Sequence, residues 1–562
     1  MFTLFHKINK CDGSNTSANR PGMPHVGGNR MKQSRKLALV AGAASLMLAA
    51  TACSGSGSQA ASGNGSDIAT LSFMTSEPKS IVPQKDPGSQ IGMALCANLM
   101  EVNVESQELE PLAAKSVSSD DAKVWDIELQ DGWTFHDGTP VTANSFADAW
   151  NATATGANAW QGNGTFVSFA GYDELNPLDG STAKATELSG VKVVDDTHLT
   201  VTLKAPNRDF PAILSTNPTC PMPESAFDDE AAYDEAPVSN GPYKFVSWDH
   251  NQQVVMEKWD GFKGAAGFSG GAQQLVGKIY TSIDPAYTDM TAGNLDMIRN
   301  VPATMVDKAK SQLGEESLFE VKIGSKQQTL QIPAYVDELS SKALRDAVSM
   351  SIDREAIATS LLKGHAQPSD SLVPPALDSY VEGSCDACTF DPEKAKKILA
   401  DDGGFDGTLV IESNSASDQQ LVQAIAKQIQ DNLGISVQMK PMLGTELSER
   451  RNSQKLEGAA FGLWGWSYKS SDQYLSQYET GGDGNLATAY SNPKVDKLLQ
   501  AARAEMDDAK SAELFKQAEA IIIKDLPAIP LFIPTDYGLQ SKCAVLNDVQ
   551  GDLQYYRAGY GC

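Results

Sequence analysis

The stretch KVWDIELQDGWTFHDGTPVTANSFADAW, from Lys123 to Trp150, decides the fold more than any other part of this 562-residue chain. In WDIELQ, apolar and polar residues alternate, which predicts a half-buried strand. Asp-Gly turns at 131–132 and 137–138 bracket a second short strand. Thr142 is a predicted N-cap for the helix that continues through Trp150. The order strand, turn, strand, turn and capped helix predicts an α/β module.

The amino-terminal part of the chain has the pattern of an export signal. Three basic residues precede an apolar run, 37–52, which is short for a membrane span and ends in small residues. Cys53 follows and opens a Gly/Ser-rich segment. The pattern resembles a bacterial lipoprotein signal, with 1–52 as leader and signal peptide, a lipidated Cys53, and 53–66 as a flexible tether. Because Ala50 stands where such signals usually carry Leu, an ordinary secretory signal with a free Cys53 is the alternative.

The chain is strongly acidic, with 45 basic and 71 acidic residues and a formal net charge of −26. Loss of the basic leader would make the remaining chain more acidic still. Such a surface repels nucleic acid and anionic lipid head groups, so neither is an expected partner. It favours cationic ligands or, more simply, solubility outside the cell. The roughly 500 residues beyond the leader are too many for one hydrophobic core, so two or three domains are expected.

Cysteine usage indicates an oxidising compartment. Six cysteines follow Cys53 in the chain: Cys96, Cys220, Cys385, Cys388, Cys543 and Cys562. Six cysteines allow 15 connectivities, so the sequence alone does not settle the pairing. A local Cys385–Cys388 disulfide is preferred over a redox motif or half a zinc site, because zinc needs a second close pair. Cys543 with Cys562 would then fix the carboxyl terminus, and Cys96 with Cys220 remains. No metal site is predicted.

The opening stretch, with FHDGTPVTA at its centre, resembles the signature of the extracytoplasmic solute-binding proteins of family 5, which are ABC-importer receptors for oligopeptides, dipeptides and similar solutes. Further strings resemble this family in the same order over roughly 67–540. They are SNGPYKFVSW from Ser239, AGNLD from Ala292, LRDAVSMSIDREAIATSLLKG from Leu344, FDPEKAKKILADDGG from Phe390, YSNPKVDKLLQAARAE from Tyr490 and LPAIPLFIP from Leu526. Within them Asp353, Asp391 and Asn492 are predicted helix N-caps.

The resemblance implies an α/β, bilobed periplasmic-binding-protein-like fold (type II, large cluster-C-like) with an inserted subdomain in the first lobe. The expected parts are lobe I at 67–108, 239–330 and 523–562, the inserted subdomain at 109–238, and lobe II at 331–522. The chain would cross between the lobes near 330 and near 523. Two crossings form a hinge, and closure about a hinge is a common response of such receptors to ligand.

The resemblance also locates a ligand site, because Trp464–Leu475 aligns with the ligand-contacting stretch of the family. The candidate ligand-binding residues are Trp464, Gly465, Trp466, Ser467, Tyr468 and Asp472. Peptide-binding members carry an Asp where Ser467 stands, and that Asp pairs with the α-ammonium of the ligand. A hydroxyl does not neutralise a charge, so either another carboxylate, with Asp472 the nearest, takes this role or the ligand lacks a free amino terminus there. The aromatic residues are candidates to stack on a sugar or an aromatic side chain, and the alternative is that Trp466 and Tyr468 only pack the lobe.

Signals for catalysis are weak, and no cofactor is predicted. The pattern Gly-x-Ser-x-Gly at 267–271 lies in a Gly-rich loop rather than on the strand-to-helix turn that a nucleophile elbow needs. The prediction is a lipid-anchored receptor on the outer face of the cell membrane, not an enzyme. It would capture oligopeptides and deliver them to ABC permease subunits that work with separate ATPase subunits. An oligosaccharide or other solute is the alternative cargo, and a secreted hydrolase is the alternative of a different class.

Overall fold

A computed structural model describes residues 68–177, 181–264, 271–321, 324–415, 418–482 and 487–562. The predicted leader, the anchor Cys53 and the tether lie outside these residues, as does most of the Gly-x-Ser-x-Gly loop. Within the described part of the chain, no helix combines the length and apolar character that a membrane span requires.

A seven-stranded mixed sheet, called the first sheet below, forms the framework of the first lobe. Its strands, in spatial order, are Leu318–Glu320, Tyr537–Gln540, Met297–Ile298, Thr70–Thr75, Gln274–Ile279, Gln253–Lys258 and Tyr243–Asp249. The central strand Thr70–Thr75 runs parallel to both of its neighbours. Its buried Leu71 and Phe73 pack against Leu275 in one apolar core. The helices of this lobe are Gln90–Leu95, Ile283–Thr291 and Ala303–Leu313.

A six-stranded sheet, the second sheet, forms the framework of the second lobe. Its strands, in spatial order, are Ala366–Pro368, Ala528–Pro534, Lys326–Gln331, Ala459–Gly465, Thr408–Asn414 and Ser436–Met442. Its helices are Lys342–Met350, Arg354–Ser360, Pro392–Asp401, Gln419–Leu433, Gly444–Asn452, Asp472–Leu475, Pro493–Ala504 and Asp508–Asp525. The side chains of Asp353, Asp391 and Asn492 each accept a backbone N–H at a helix start, which confirms the three predicted caps.

A four-stranded antiparallel sheet contains the first strand of the stretch from Lys123 to Trp150. Its strands, in spatial order, are Ala114–Ser118, Val124–Leu129, His198–Thr202 and Val191–Asp195. The predicted strand is confirmed as Val124–Leu129, and the helix follows Thr142 as Ala143–Ala154. The second predicted strand is only an isolated bridge between Thr134 and Pro140. The remaining helices of this region are Tyr172–Leu175, Phe210–Ile213 and Glu230–Glu235.

The chain crosses between the two large sheets at other positions than the sequence predicted. The strand Ala528–Pro534, assigned to lobe I with 523–562, lies in the second sheet, where six of its seven residues are buried. An apolar run of this length suits an inner strand that is covered on both faces. The return crossing is therefore at 535–536, and the outward one comes between the strands Leu318–Glu320 and Lys326–Gln331, because the latter already belongs to the second sheet. A 2.7 Å ion pair between Lys326 Nζ and Asp536 Oδ1 joins the two crossings.

The division between lobe I and the inserted subdomain at 108/109 is also corrected. It falls inside a hairpin whose strands, Met100–Val102 and Leu109–Pro111, pair antiparallel. Residues before the division, including Val82 and Leu99, belong to the same apolar core as Trp125 and Trp150. Because residues on both sides of the 108/109 division share one core, the subdomain is continuous with the first lobe and is not a separate folding unit.

Three disulfides join the cysteines in the pairs that the sequence analysis preferred. They are Cys96–Cys220, Cys385–Cys388 and Cys543–Cys562. The first links the end of the helix Gln90–Leu95 to the subdomain, and the last closes a loop in the carboxyl-terminal segment. That segment also contains two small hairpins, Ala544–Val545 with Gly559–Tyr560 and Asp548–Val549 with Asp552–Leu553.

Candidate ligand-binding site

A cavity of about 950 Å³ lies where the two lobes and the subdomain meet. Its wall includes Asn98, Arg299 and Asp552 from the first lobe, Asn207 from the subdomain, and Trp466 and Gln473 from the second lobe. This volume is at the upper end of the range usual for small-molecule sites, which is about 300–1,000 Å³. The cavity therefore has room for an extended solute with several groups.

Five of the six predicted site residues line this cavity. Gly465 ends its strand beside Lys326, and the chain then leaves the sheet so that Trp466, Ser467 and Tyr468 follow along the wall. Asp472 lines the wall as well. Trp464 is not among the described residues of the wall: the residue is 43% exposed, and its indole N–H donates to the Gln473 carbonyl at 2.6 Å. Trp464 therefore positions the loop that follows it.

Trp466 connects the two lobes across the cavity. Its indole N–H donates to the backbone carbonyl of Gln550 at 2.8 Å, and the Lys469 N–H donates to Gln550 Oε1 at 3.3 Å. Gln107 holds Gln550 from the first-lobe side, through bonds of 2.6 and 2.9 Å. Gln550 and Gly551 have φ of 46° and 87°, as in the two-residue turns that favour positive φ at both positions. The carbonyl that receives Trp466 is thus fixed by a tight hairpin turn.

A second set of contacts joins the subdomain to the second lobe at Arg208 and Asp209. The backbone N–H of Arg208 donates to the Arg503 carbonyl at 2.8 Å, and its guanidinium donates to the Glu505 carbonyl at 2.8 Å. The guanidinium also forms an ion pair with Asp508. Asp209 accepts a hydrogen bond from the Ser470 hydroxyl. With Trp466 and Gln550, these contacts describe lobes that are closed on each other.

Asp472, the predicted replacement for the missing carboxylate, is already engaged. Arg503 Nε donates to its Oδ1 at 2.8 Å, and Arg503 Nη1 donates to Glu479 at 2.6 Å. Burial raises the pKa of Asp472, against the opposing attraction of Arg503. A buried carboxylate that is paired in this way has little capacity left for a ligand cation.

Asp209 and Tyr468 both lie close enough to this pair to feel its charges. Burial, and after it the charge of Asp472, raise the pKa of the Asp209 carboxyl to about 6. Burial, Asp209 and Asp472 hold the pKa of the Tyr468 hydroxyl well above its usual value, so the phenol stays neutral. Asp209 was not predicted as a residue of this region, because 261 positions separate it from Ser470.

The carboxyl-terminal segment supplies wall residues that the sequence analysis also missed, among them Asp552 and Arg557. Arg557 pairs with Glu101 at 2.9 Å, and Arg299 reaches Asp552 at 3.3 Å. One local signal was present, the Gln550–Gly551 pair between two short alternating runs, which is a weak hairpin signal. Among the described residues, no group of three or more His, Cys, Asp or Glu is placed to hold a metal ion.

Two lobes, two crossings and a cavity between them define a solute-binding receptor of the periplasmic-binding-protein type. Residues 108–485 match the middle region of the bacterial extracellular solute-binding proteins, family 5. The chain belongs to this family, whose members are transport receptors rather than enzymes.

Similar proteins agree with this assignment. The periplasmic oligopeptide-binding protein OppA of Salmonella typhimurium is 26% identical over 81% of this chain and 85% of its own length. The dipeptide-binding protein DppE of Bacillus subtilis is 23% identical over 78% of this chain and 81% of its own. The murein tripeptide binding protein MppA of Escherichia coli superposes with a TM-score of 0.72 at 19% identity, over 88% of this chain and 99% of its own. Haemophilus influenzae OppA, in complex with the peptide RPPGFSPFR, gives a TM-score of 0.71 at 20% identity over 88% and 99%.

Proposed function

We propose that this protein is the receptor of a peptide importer and that it captures oligopeptides in the cavity between its lobes. The observation that carries the proposal is the cavity itself, which takes its wall from both lobes and from the subdomain. A ligand held there is reached by residues on both sides of the hinge, so binding favours closure. The names of two relatives, an oligopeptide-binding and a dipeptide-binding protein, support peptide as the cargo.

The chemistry of the wall suits a ligand with variable side chains. The wall contains apolar residues such as Met93, Met100 and Ile213 as well as polar amides such as Asn98 and Gln473. Most charged side chains of the wall are paired with each other, so few of them are left to select a single ligand charge. Peptides share main-chain groups and differ in side chains, and a wall of this kind accepts the shared groups while tolerating the differences.

We also propose where the protein is anchored and where it delivers its cargo. Cys53 would be lipidated and would hold the protein on the outer face of the cell membrane. The Gly/Ser-rich tether 53–66 would give the lobes a reach of about 20 Å. The closed receptor would then deliver its peptide to ABC permease subunits, and separate ATPase subunits would supply the energy.

The first experiment identifies the cargo directly. The purified protein is denatured, and the released small molecules are analysed by mass spectrometry. The protein is then incubated with a panel of peptides and glycans, and products are sought. Peptide released in about one-to-one ratio, with no turnover, is the expected result. Released glycan would establish the alternative cargo, and turnover that a single side-chain change abolishes would establish a hydrolase instead.

A further inference from the structure

Five carboxylates of the described residues line the cavity, and four of them are tightly paired. Glu101 pairs with Arg557 at 2.9 Å, Asp536 pairs with Lys326 at 2.7 Å, and Asp472 and Glu479 share Arg503 at 2.8 and 2.6 Å. The side chains of these four carboxylates are only 12–20% exposed. Each therefore already has a protein cation as its partner before any ligand arrives, although Asp472 and Glu479 share a single one.

Asp552 is the fifth carboxylate, and it differs from the other four in its ion pairing and in its exposure. Its side chain is 44% exposed, and its one ion pair, from Oδ1 to Arg299 Nη1, is long at 3.3 Å. None of the described residues donates a hydrogen bond to its Oδ2. The same Arg299 nitrogen also reaches the Leu553 carbonyl at 3.4 Å, so it is shared between two acceptors. Asp552 lines the cavity, so this second oxygen is available to a group bound there.

The surroundings of Asp552 make a cation there favourable. The charged groups that face it are Arg299, Lys326 and Asp536, and Lys326 is already committed to Asp536. Despite the two cations, burial raises the pKa of Asp552 above its ordinary value. A carboxylate that faces an enclosed space loses the hydration that bulk water would give, and charge-assisted hydrogen bonds replace that hydration best.

The backbone holds this oxygen in place. Asp552 pairs with Val549 across the tight turn at Gln550–Gly551. The same turn presents the Gln550 carbonyl to Trp466 of the second lobe. A group bound at Asp552 therefore lies next to the contact that closes the lobes, and its binding would be linked to closure.

We propose that Asp552 is the counter-charge for a cationic group of the bound peptide, either the α-ammonium or a Lys or Arg side chain. The cation binds Oδ2, while Arg299 remains on Oδ1. This inference rests on the proposed function, and it assigns to the first lobe a recognition role that the sequence analysis assigned to the second.

Calorimetry on protein freed of endogenous ligand tests the proposal with four tetrapeptides. Tetraalanine and N-acetyl-tetraalanine differ in the α-ammonium. N-acetyl-Ala-Lys-Ala-Ala and its norleucine counterpart differ in the side-chain ammonium. In at least one pair the wild type should bind the cationic member about 10- to 100-fold more tightly, which is the range of one charge-assisted hydrogen bond. The pair that shows the preference identifies the source of the cation.

Asp552→Asn should remove that preference while affinity for the neutral member changes less than about twofold. Asp284→Asn is the matched control, because it neutralises an exposed carboxylate of the first lobe that is not among the described residues of the cavity wall, and it should keep the preference. Thermal melts verify that both variants are folded. The comparison of cationic and neutral peptides on the wild type does not depend on either variant. Equal loss of preference in both variants, no loss in Asp552→Asn, or no preference in the wild type would overturn the inference. If the wild type binds none of the four and releases no peptide on denaturation, the proposed function itself fails.

Discussion

Trp466 of the second lobe donates its indole N–H to the Gln550 carbonyl of the first lobe at 2.8 Å. This bond spans the cavity, and its acceptor is fixed by a turn with two positive φ angles. Trp466 also packs edge-on against the buried ring of Tyr474, with the ring centroids 6.1 Å apart. Packing against Tyr474 thus orients the donor indole, and the turn orients the acceptor carbonyl. The pair therefore favours one closed geometry of the lobes.

Trp466→Phe should weaken peptide binding by about 3- to 10-fold, because one neutral hydrogen bond contributes about 0.5–1.5 kcal/mol and this bond exists only in the closed form. Calorimetry with the peptide released from the purified protein measures the loss. Small-angle scattering should show a larger radius of gyration for the liganded variant, since more molecules remain open.

Trp464→Phe is the matched control, since its indole N–H donates to Gln473 within the same lobe. It should change affinity less than Trp466→Phe and leave the radius of gyration unchanged. Equal losses in the two variants would show that the indoles serve only local packing.

The disulfides should differ in how much they stabilise the fold. Cys96 and Cys220 are 124 positions apart, whereas Cys385 and Cys388 are three apart. On the chain-entropy account, a cross-link stabilises more when it closes a longer loop, by about 5 kcal/mol for the long loop and about 2 kcal/mol for the short one. Replacement of each pair by alanine, followed by urea unfolding, should reproduce this order. A larger loss for the Cys385–Cys388 pair would mean that strain or packing outweighs loop length.

Local chemistry made part of this fold predictable. Alternation in 124–129 and the Asp353 cap depend on neighbours within a few residues, and both were confirmed. The strand Ala528–Pro534 was assigned to the wrong lobe, because a run buried on both faces carries no information about which sheet buries it. Asp552 was missed for a related reason. Its importance comes from what faces it across the cavity, and no spacing in the sequence records that.

The anchor at Cys53 makes a prediction about location. Expressed in a bacterium with lipoprotein machinery, the wild type should enter the detergent phase on Triton X-114 partition, because the acyl chains add apolar surface. Cys53→Ser should move the protein to the aqueous phase. Cys11→Ser is the control and should partition like the wild type, since Cys11 lies in the predicted leader. If the wild type is aqueous as well, the signal is an ordinary secretory one.

Asp209 should make stability depend on pH. Its ordinary pKa is 3.8, and burial beside Asp472 raises it to about 6 in the folded protein. Between these values the folded state binds more protons than the unfolded state. The contribution of Asp209 to stability is therefore fully present below pH 3.8 and is lost as the pH rises through about 6. At pH 8 a charged carboxylate must be held next to Asp472, with only Arg208, Arg503 and the Ser470 hydroxyl to compensate.

Asp209→Asn removes that charge and keeps an acceptor for Ser470. It should raise the free energy of unfolding by about 1–3 kcal/mol at pH 8 and change it little at pH 4. Ser470→Ala should act in the opposite direction, with a larger loss at pH 8, because the charged form then lacks its hydrogen-bond donor. Urea unfolding at the two pH values measures both effects. A gain in Asp209→Asn of the same size at pH 4 and pH 8 would mean that the shape of the side chain, not its charge, makes Asp209 destabilising at this contact between the subdomain and the second lobe.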